Sequence, residues 1–355
     1  MTEVDVAVLH AEPADDAGPL TRATAAARLD AAERHVRGFL DAGATRARIH
    51  AGPEDRRPFG ARLRDVVAEL GDGGLIVLGS GAVPLATASD RRDLVTAASA
   101  DRPQALTNNR YSADVIAVAQ ARRALANVPD LPTDNALPRW LEEHAGVPVD
   151  DRRGRTRLGI DIDGPLDLVL LDGRRSWLHG ADTARVRAIL DAIRSVVADP
   201  AAELVVTGRV SATNLAWLEA RTASRTRALI EERGLRTRRA DQRPSASVLG
   251  TLLDRDGPES LGETLARLGD AAFVDTRVLL AHRFGADEAA WPVAEDRFAS
   301  DLLLTAAIAD PWLHALTTSA VNAPIPVLLG GHTLVGPGLR LALGRASGRR
   351  SRART

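Results

Sequence analysis

The chain offers few residues for chemistry, and the most suggestive lie in Gly159-Ile160-Asp161-Ile162-Asp163-Gly164-Pro165-Leu166-Asp167-Leu168. Two acids at alternate positions of an apolar run, before a Gly-Pro turn, predict a short strand with both carboxylates on one side of its end. Asp161 and Asp163 placed so could hold a divalent cation, and a cation there would stabilise a transferring phosphoryl group. The same spacing is met if one acid caps the following helix while the other pairs with Arg157. Asp167 falls in that helix's first turn, where a negative charge is favourable.

Other groups are arranged around strand ends. Gly79-Ser80-Gly81 follows the apolar run Leu75–Leu78; small residues there admit a nucleotide at the carboxyl edge of a sheet, or simply make a tight turn. Thr107, Asn108 and Asn109 bring hydroxyl and amide groups able to read a base or ribose, though Asn also serves turns. Further on, Thr207-Gly208-Arg209-Val210-Ser211 lies between a strand and a helix start, which suits an anion or an ordinary turn. His282 is a candidate general base or a member of a surface salt-bridge network. His332, after Gly330-Gly331, is a candidate pocket residue.

Absences exclude whole mechanisms. No Cys is present among the 355 residues, which removes thiol nucleophiles, disulfides and Cys-ligated zinc. All 46 basic residues are Arg, so a Walker-type lysine loop and Schiff-base chemistry are excluded. Arg takes every cationic role, and its planar fork suits phosphate and carboxylate. A net charge of -1 and an aromatic content of 3% point away from nucleic acid and toward a small molecule. The acids Glu3 and Asp5 in the first apolar segment do not fit a signal peptide, and no apolar run approaches a membrane span. A cytoplasmic protein is expected.

Elements that would position these groups follow a β-α rhythm. Strands are expected at Val4–Leu9, Arg46–His50, Leu75–Leu78 and Val115–Ala119, a strand end or turn at Ala105–Asn109, and helices at Thr21–Ala42, Phe59–Leu70, from an N-cap at Ser89-Asp90, and at Asp134–His144. Arg152–Arg157 reads as a charged hairpin or loop. From Ser176 the rhythm restarts: a helix at Thr183–Val197, a strand at Leu204–Thr207, a long helix at Asn214–Arg233 stopped by Gly234, and helices at Ser247–Leu253, Leu261–Leu268 and Asp310–Ser319. Strands are expected at Ala272–Val274, Val278–Leu280 and Ile325–Leu329. The expected organisation is an α/β domain over 1–175 with a mostly parallel sheet flanked by helices, a second α/β domain over 176–343, a boundary near 172–182, and a disordered basic tail over 344–355.

Three segments in order, within residues 60–170, resemble the nucleotidyltransferases of glycosyltransferase-A-like fold, the group of the molybdenum-cofactor and 2-phospholactate guanylyltransferases. Leu75–Leu85 with Thr87 and Asp90 is similar to a strand followed by acidic-x-P-L-L-T-x-x-D; Ala105–Asn109 is similar to the G-T-N segment; and Leu158–Leu168 is similar to L-D-I-D-T-P-E-D-L. The resemblance implies a nucleotide-diphospho-sugar-transferase-like sheet and Mg²⁺-dependent transfer of a guanylyl or cytidylyl group from a nucleoside triphosphate to a small phosphorylated acceptor. Asp161 and Asp163 would be the catalytic metal ligands, and Gly79, Ser80, Gly81, Thr107, Asn108 and Asn109 the nucleotide contacts. Where the family has a Gly-rich, Lys-containing loop after its first strand, this chain has His10–Leu20, so Arg22 or Arg28 would supply the charge. Where the family has a metal-binding Asp before Pro-Leu, this chain has Ser80-Gly81-Ala82-Val83-Pro84. The alternative implied by these departures is a catalytically degenerate nucleotide or sugar-phosphate binding protein. A third reading gives the chemistry to the second domain, around Arg209, His282 and His332.

Overall fold

The computed structural model describes residues 2–171, 178, 183–233 and 243–344. The chain forms two compact α/β units, one of residues 1–17 and 22–162, the other of residues 18–21 and 163–355. They part between Ile162 and Asp163, inside the acidic stretch. The boundary expected near 172–182 falls, apart from Leu178, outside the described residues, as do Gly234 and all but the first residue of the expected tail.

In the first unit the elements run β1 (Val4–Glu12), α1 (Pro19–Asp41), β2 (Arg46–Pro53), α2 (Phe59–Ala68), β3 (Gly74–Gly79), α3 (Ala88–Ala98), β4 (Ala105–Thr107), β5 (Val115–Val118), α4 (Ala121–Ala124), α5 (Leu137–Glu143) and β6 (Val149–Asp151). The sheet order is β2-β1-β3-β5-β4-β6. It is mixed: β5 runs antiparallel to β3 and β4, while the other neighbours are parallel. Leu75, Ile76, Val77 and Leu78 are all buried, as a strand covered on both faces requires. Alternate side chains feed two cores, Val77 with Leu63 and Leu125 on one face and Ile76 and Leu78 with Phe39 and Leu94 on the other.

Three expectations in this unit change. The helix expected to start from Ser89-Asp90 is capped by Thr87, whose hydroxyl accepts the Asp90 N–H at 3.2 Å while the Asp90 carboxylate accepts the Thr87 N–H at 2.9 Å. Asp90 is also the acid that Arg157 finds, with Nη2 to Oδ1 at 2.6 Å and Nε to Oδ2 at 2.8 Å. Finally, residues 159–163 form no strand. After a 3₁₀ turn at Thr156–Gly159, only an isolated bridge joins Asp161 to Ala82. The physical reason is local: the Asp161 carboxylate accepts the next N–H, that of Ile162, at 2.8 Å, and the same N–H donates to Gly81 O at 3.1 Å, which bends the chain out of ladder geometry. The short strand β6, acidic and only three residues long, carries no apolar alternation that the sequence reading could use.

The second unit contains α6 (Pro165–Leu170), α7 (Ala184–Ala198), β7 (Glu203–Gly208), α8 (Ala212–Arg221), β8 (Arg225–Ile230), α9 (Val248–Asp256), α10 (Leu261–Ala266), β9 (Ala271–Asp275), α11 (Thr276–Phe284), α12 (Ala294–Asp301), α13 (Pro311–Val321), β10 (Val327–Gly330), α14 (His332–Val335) and α15 (Leu339–Leu343). Its sheet, β10-β9-β7-β8, is wholly parallel. The expected helix over Asn214–Arg233 stops at Arg221. Thr222 turns extended with ψ 153° and its hydroxyl donates to Leu218 O at 2.8 Å, after which Arg225–Ile230 pairs with β7 as an edge strand. Pairing along β7 here overrides local helix propensity. Val278–Leu280, expected as a strand, lies in α11, started by Asp275 accepting the Arg277 N–H. A continuous apolar run looks the same in a buried helix as in a buried strand.

Candidate functional site

The carboxyl ends of β1, β2 and β3 and the start of the reversed β5 frame a cleft of about 1090 Å³. Such an edge is where open α/β sheets hold ligands, because strand ends and loops diverge there. Its walls include Gly79, His10, His50 and Asp114 from the sheet edge and Phe59, Arg57 and Arg62 from the α2 side. Arg57 is engaged by Asp55 at 2.7 Å and Asp65 at 2.9 Å. Arg62 differs: its guanidinium lies over the Phe59 ring, 5.7 Å from the centroid, and no described carboxylate is paired with it. Its Nε is buried without a hydrogen-bond partner among the described residues. A cation so placed is available to an anionic ligand.

The loop leaving β3 is tightly fixed. The Ser80 N–H donates to Leu9 O at 2.9 Å, and the Ser80 hydroxyl meets His10 Nδ1 at 3.0 Å. Val83 is buried with φ 41°, a left-handed conformation uncommon for a β-branched residue. His35, from α1, supports the loop through Nε2 to Ala82 O at 2.7 Å. Burial pushes the His35 imidazole down to about 4, so it is neutral at physiological pH. A Cβ at Gly81 would stand 2.9 Å from Asp161 Oδ1, 2.9 Å from Ile162 O and 3.2 Å from Arg28 Cγ. Two of the three segments that carry the family resemblance therefore lie side by side. Between them stands Arg28, whose Nε donates to Ile162 O at 2.6 Å.

Mg²⁺ takes an octahedral set of oxygens, commonly one or two carboxylates with phosphates and water. Here Gly81 contributes no side-chain oxygen, and the stem of cationic Arg28 lies beside Gly81 and Asp161. Among the described residues no group of three or more His, Asp or Glu side chains converges on one point. Among the described residues the side chains thus form no ready-made cage for a divalent cation.

The remaining expected contacts have partners within the fold. Thr107 donates to Val115 O at 2.8 Å. Asn108 is buried, and its amide donates to Asp114 at 2.7 Å and Leu158 O at 2.8 Å while its oxygen accepts the Asp114 N–H at 3.0 Å. Every side of that amide is engaged, so it fastens the β4–β5 turn to the segment before Asp161. Asn109 accepts the Tyr111 N–H at 3.0 Å, an Asx turn. Arg22 is exposed and donates to Ala17 O.

In the second unit Asp163 and Gly164 donate their N–H groups to Asp167 at 2.8 and 2.9 Å, so Asp167 is the acid that caps α6. Burial, and then the charge of Asp163, hold the Asp167 carboxyl well above the usual range. Arg209 pairs with Asp275, with Nε to Oδ2 at 2.6 Å and Nη2 to Oδ1 at 3.0 Å, both residues buried. Burial alone would raise Asp275, but Arg209 holds it below the usual carboxylate range. This pair fills the point between β7 and β9 where strand order reverses, the crevice that sheets of this kind often give to a ligand. His282 accepts the Ser247 N–H at Nδ1, at 3.1 Å, and faces Asp254 at 3.1 Å through Nε2. His332 begins α14, after β10. Thus Gly79, Ser80, Gly81 and Asp161 are gathered near one strand edge, whereas Asp163, Arg209, His282 and His332 belong to the other unit.

Sequence reasoning missed His10, His35 and Arg62. His10 carried a usable signal, since it follows a buried apolar run at the carboxyl end of an inner strand. Arg62 looked like any other helix arginine. The described residues include no helix long and apolar enough to cross a membrane. No family model matches the chain, and no curated protein matches it.

Proposed function

We propose that the first unit binds a nucleotide or another phosphorylated small molecule in the cleft at the carboxyl ends of β1, β2 and β3, as the catalytically degenerate member of a nucleotidyltransferase-like design. The observation that carries this reading is Arg62, a cation over Phe59 that acts on Asp55 only at a distance and forms no ion pair among the described residues, on the wall of a cleft large enough for such a ligand. Calorimetry with four nucleoside triphosphates, with and without Mg²⁺, tests it. At least one is expected to bind, with affinity little changed by Mg²⁺ and about tenfold weaker in Arg62→Ala, the loss of one charge-assisted contact. No heat with any of the four and no rise in Tm would overturn the reading.

A second reading, nucleotidyl transfer to a phosphorylated acceptor, is favoured by Asp161 lying against Gly81 in the loop that leaves β3. It requires pyrophosphate release, Mg²⁺-dependent binding, and loss of both in Asp161→Asn. Release of pyrophosphate over a panel of phosphorylated acids would establish this reading over the first.

A further inference from the structure

His10 lines the cleft and forms a buried pair with Ser80 behind it, and their arrangement deepens the reading just given, on which this inference rests. His10 is 6% exposed and Ser80 5% exposed, and the two stand at the ends of adjacent parallel strands. Ser80 is held by its own N–H to Leu9 O, so the hydroxyl is a fixed partner for Nδ1. Among the described residues no group engages Nε2, and the ring lines the cleft. A hydroxyl can donate to the bare Nδ1 of a neutral imidazole and accept from the N–H of an imidazolium. Ser80 therefore satisfies the ring in both charge states without moving it.

The surroundings bias His10 toward the neutral ring. Burial disfavours the imidazolium, the Arg28 guanidinium from α1 adds to that, and Glu12 on β1 opposes it. Around the cleft His10 shares the walls with His50 on β2, with Glu54, Asp55, Arg56 and Arg57 in the loop after β2, with Arg62 and Asp65 of α2 and Glu69 at its end, and with Asp114 and Asp134; Arg57 is paired with Asp55 and Asp65, and the acids among these groups oppose an incoming anion. A phosphate group entering beside Nε2 reverses the balance, because a nearby anion favours the charged ring.

We propose that His10 is the proton-accepting contact of the cleft: held at Nδ1 by Ser80, it takes up one proton from solvent as a phosphate group settles against Nε2. No covalent bond forms or breaks, and the proton ends on the imidazole. The ligand class selected is one with a phosphate dianion, in preference to a neutral sugar or a monoanionic carboxylate.

Inorganic tripolyphosphate is the probe, titrated at pH 7 in two buffers of different ionisation heat, so that the dependence of the observed heat on the buffer gives the protons exchanged. The probe's own protonation change is common to all variants and cancels between them. The wild-type chain is expected to take up several tenths of a proton more than His10→Gln, and the pH profile of its affinity to fall more steeply above pH 7. Equal uptake in the two would overturn the proposal. Should His10→Gln not fold, Ser80→Ala keeps the ring and is expected to lower the uptake; an unchanged uptake there overturns it equally. Binding without the additional proton would remove only the role of His10, whereas no binding to the wild-type chain would remove that role and the reading of the cleft together.

Discussion

A buried charge in this protein is stable only where the fold supplies its counter-charge, and Asp275 is the clearest case. It is fully enclosed and shares two hydrogen bonds with the nearly enclosed Arg209 side chain. Removing one partner leaves the other uncompensated, a loss of about 3–5 kcal/mol. Asp275→Asn is therefore expected to lower the unfolding free energy from urea titration by that amount, while a double replacement of both residues by apolar side chains is expected to recover most of it. Asp90 presents the weaker version. Burial alone would raise its carboxyl, yet Arg157, Thr87 and Arg155 hold it well below the usual range. Its arginines are a third or more exposed, and solvent screens them. Asp90→Asn is accordingly expected to cost less than Asp275→Asn in the same urea series.

Helix α2 forms one wall of the cleft, and its position depends on close approach at Gly60. The Gly60 N–H donates to Leu131 O at 3.0 Å, and a Cβ there would come within 1.9 Å of Pro129 O, a backbone atom that cannot swing aside. Gly60→Ala is expected to destabilise the first unit by about 1–3 kcal/mol, the usual range for overpacking, and to weaken triphosphate binding through displacement of Arg62. Thermal melts and calorimetry on the same sample read both effects. Helix α3 depends instead on its cap. Thr87→Ala removes the hydroxyl of the capping box and is expected to cost about 1 kcal/mol with no effect on binding, since Thr87 does not line the cleft. The pattern of strands and helices was legible for most of these elements because apolar runs and Gly or Pro stops coincide with them. It misled at Asn214–Arg233, where a helix-prone segment yields to pairing with β7, and at Val278–Leu280, where burial on all sides erases periodicity.

Across the whole molecule, acid sensitivity should follow His35. Its ring is neutral when folded and titrates at about 4, against an ordinary 6.5. Below pH 6.5 the unfolded chain binds the proton and the folded chain does not, so stability falls with pH until about 4 and then levels. That interval, at about 1.4 kcal/mol per pH unit, is worth roughly 3 kcal/mol. His35→Gln is expected to flatten the profile between pH 6.5 and 4 in urea titrations. Asp167 acts in the opposite sense: its raised carboxyl binds a proton in the folded chain at pH values where the unfolded one has lost it, so its contribution weakens as pH rises. What the sequence by itself determined is the alternation of strand and helix, the restriction of cationic roles to arginine, and the prominence of the loops after β3 and around Asp161. Those follow from composition and local pattern, which act over a few residues. Only the tertiary structure decided which carboxylates are spoken for, that Asp90 rather than Asp161 or Asp163 takes Arg157, that Asn108 serves the framework, and that His10, backed by Ser80, borders one cleft with Arg62. Partners separated by tens of residues meet because β1 and β3 are neighbours in the sheet, and sheet order is set by packing over the whole unit rather than by any local stretch.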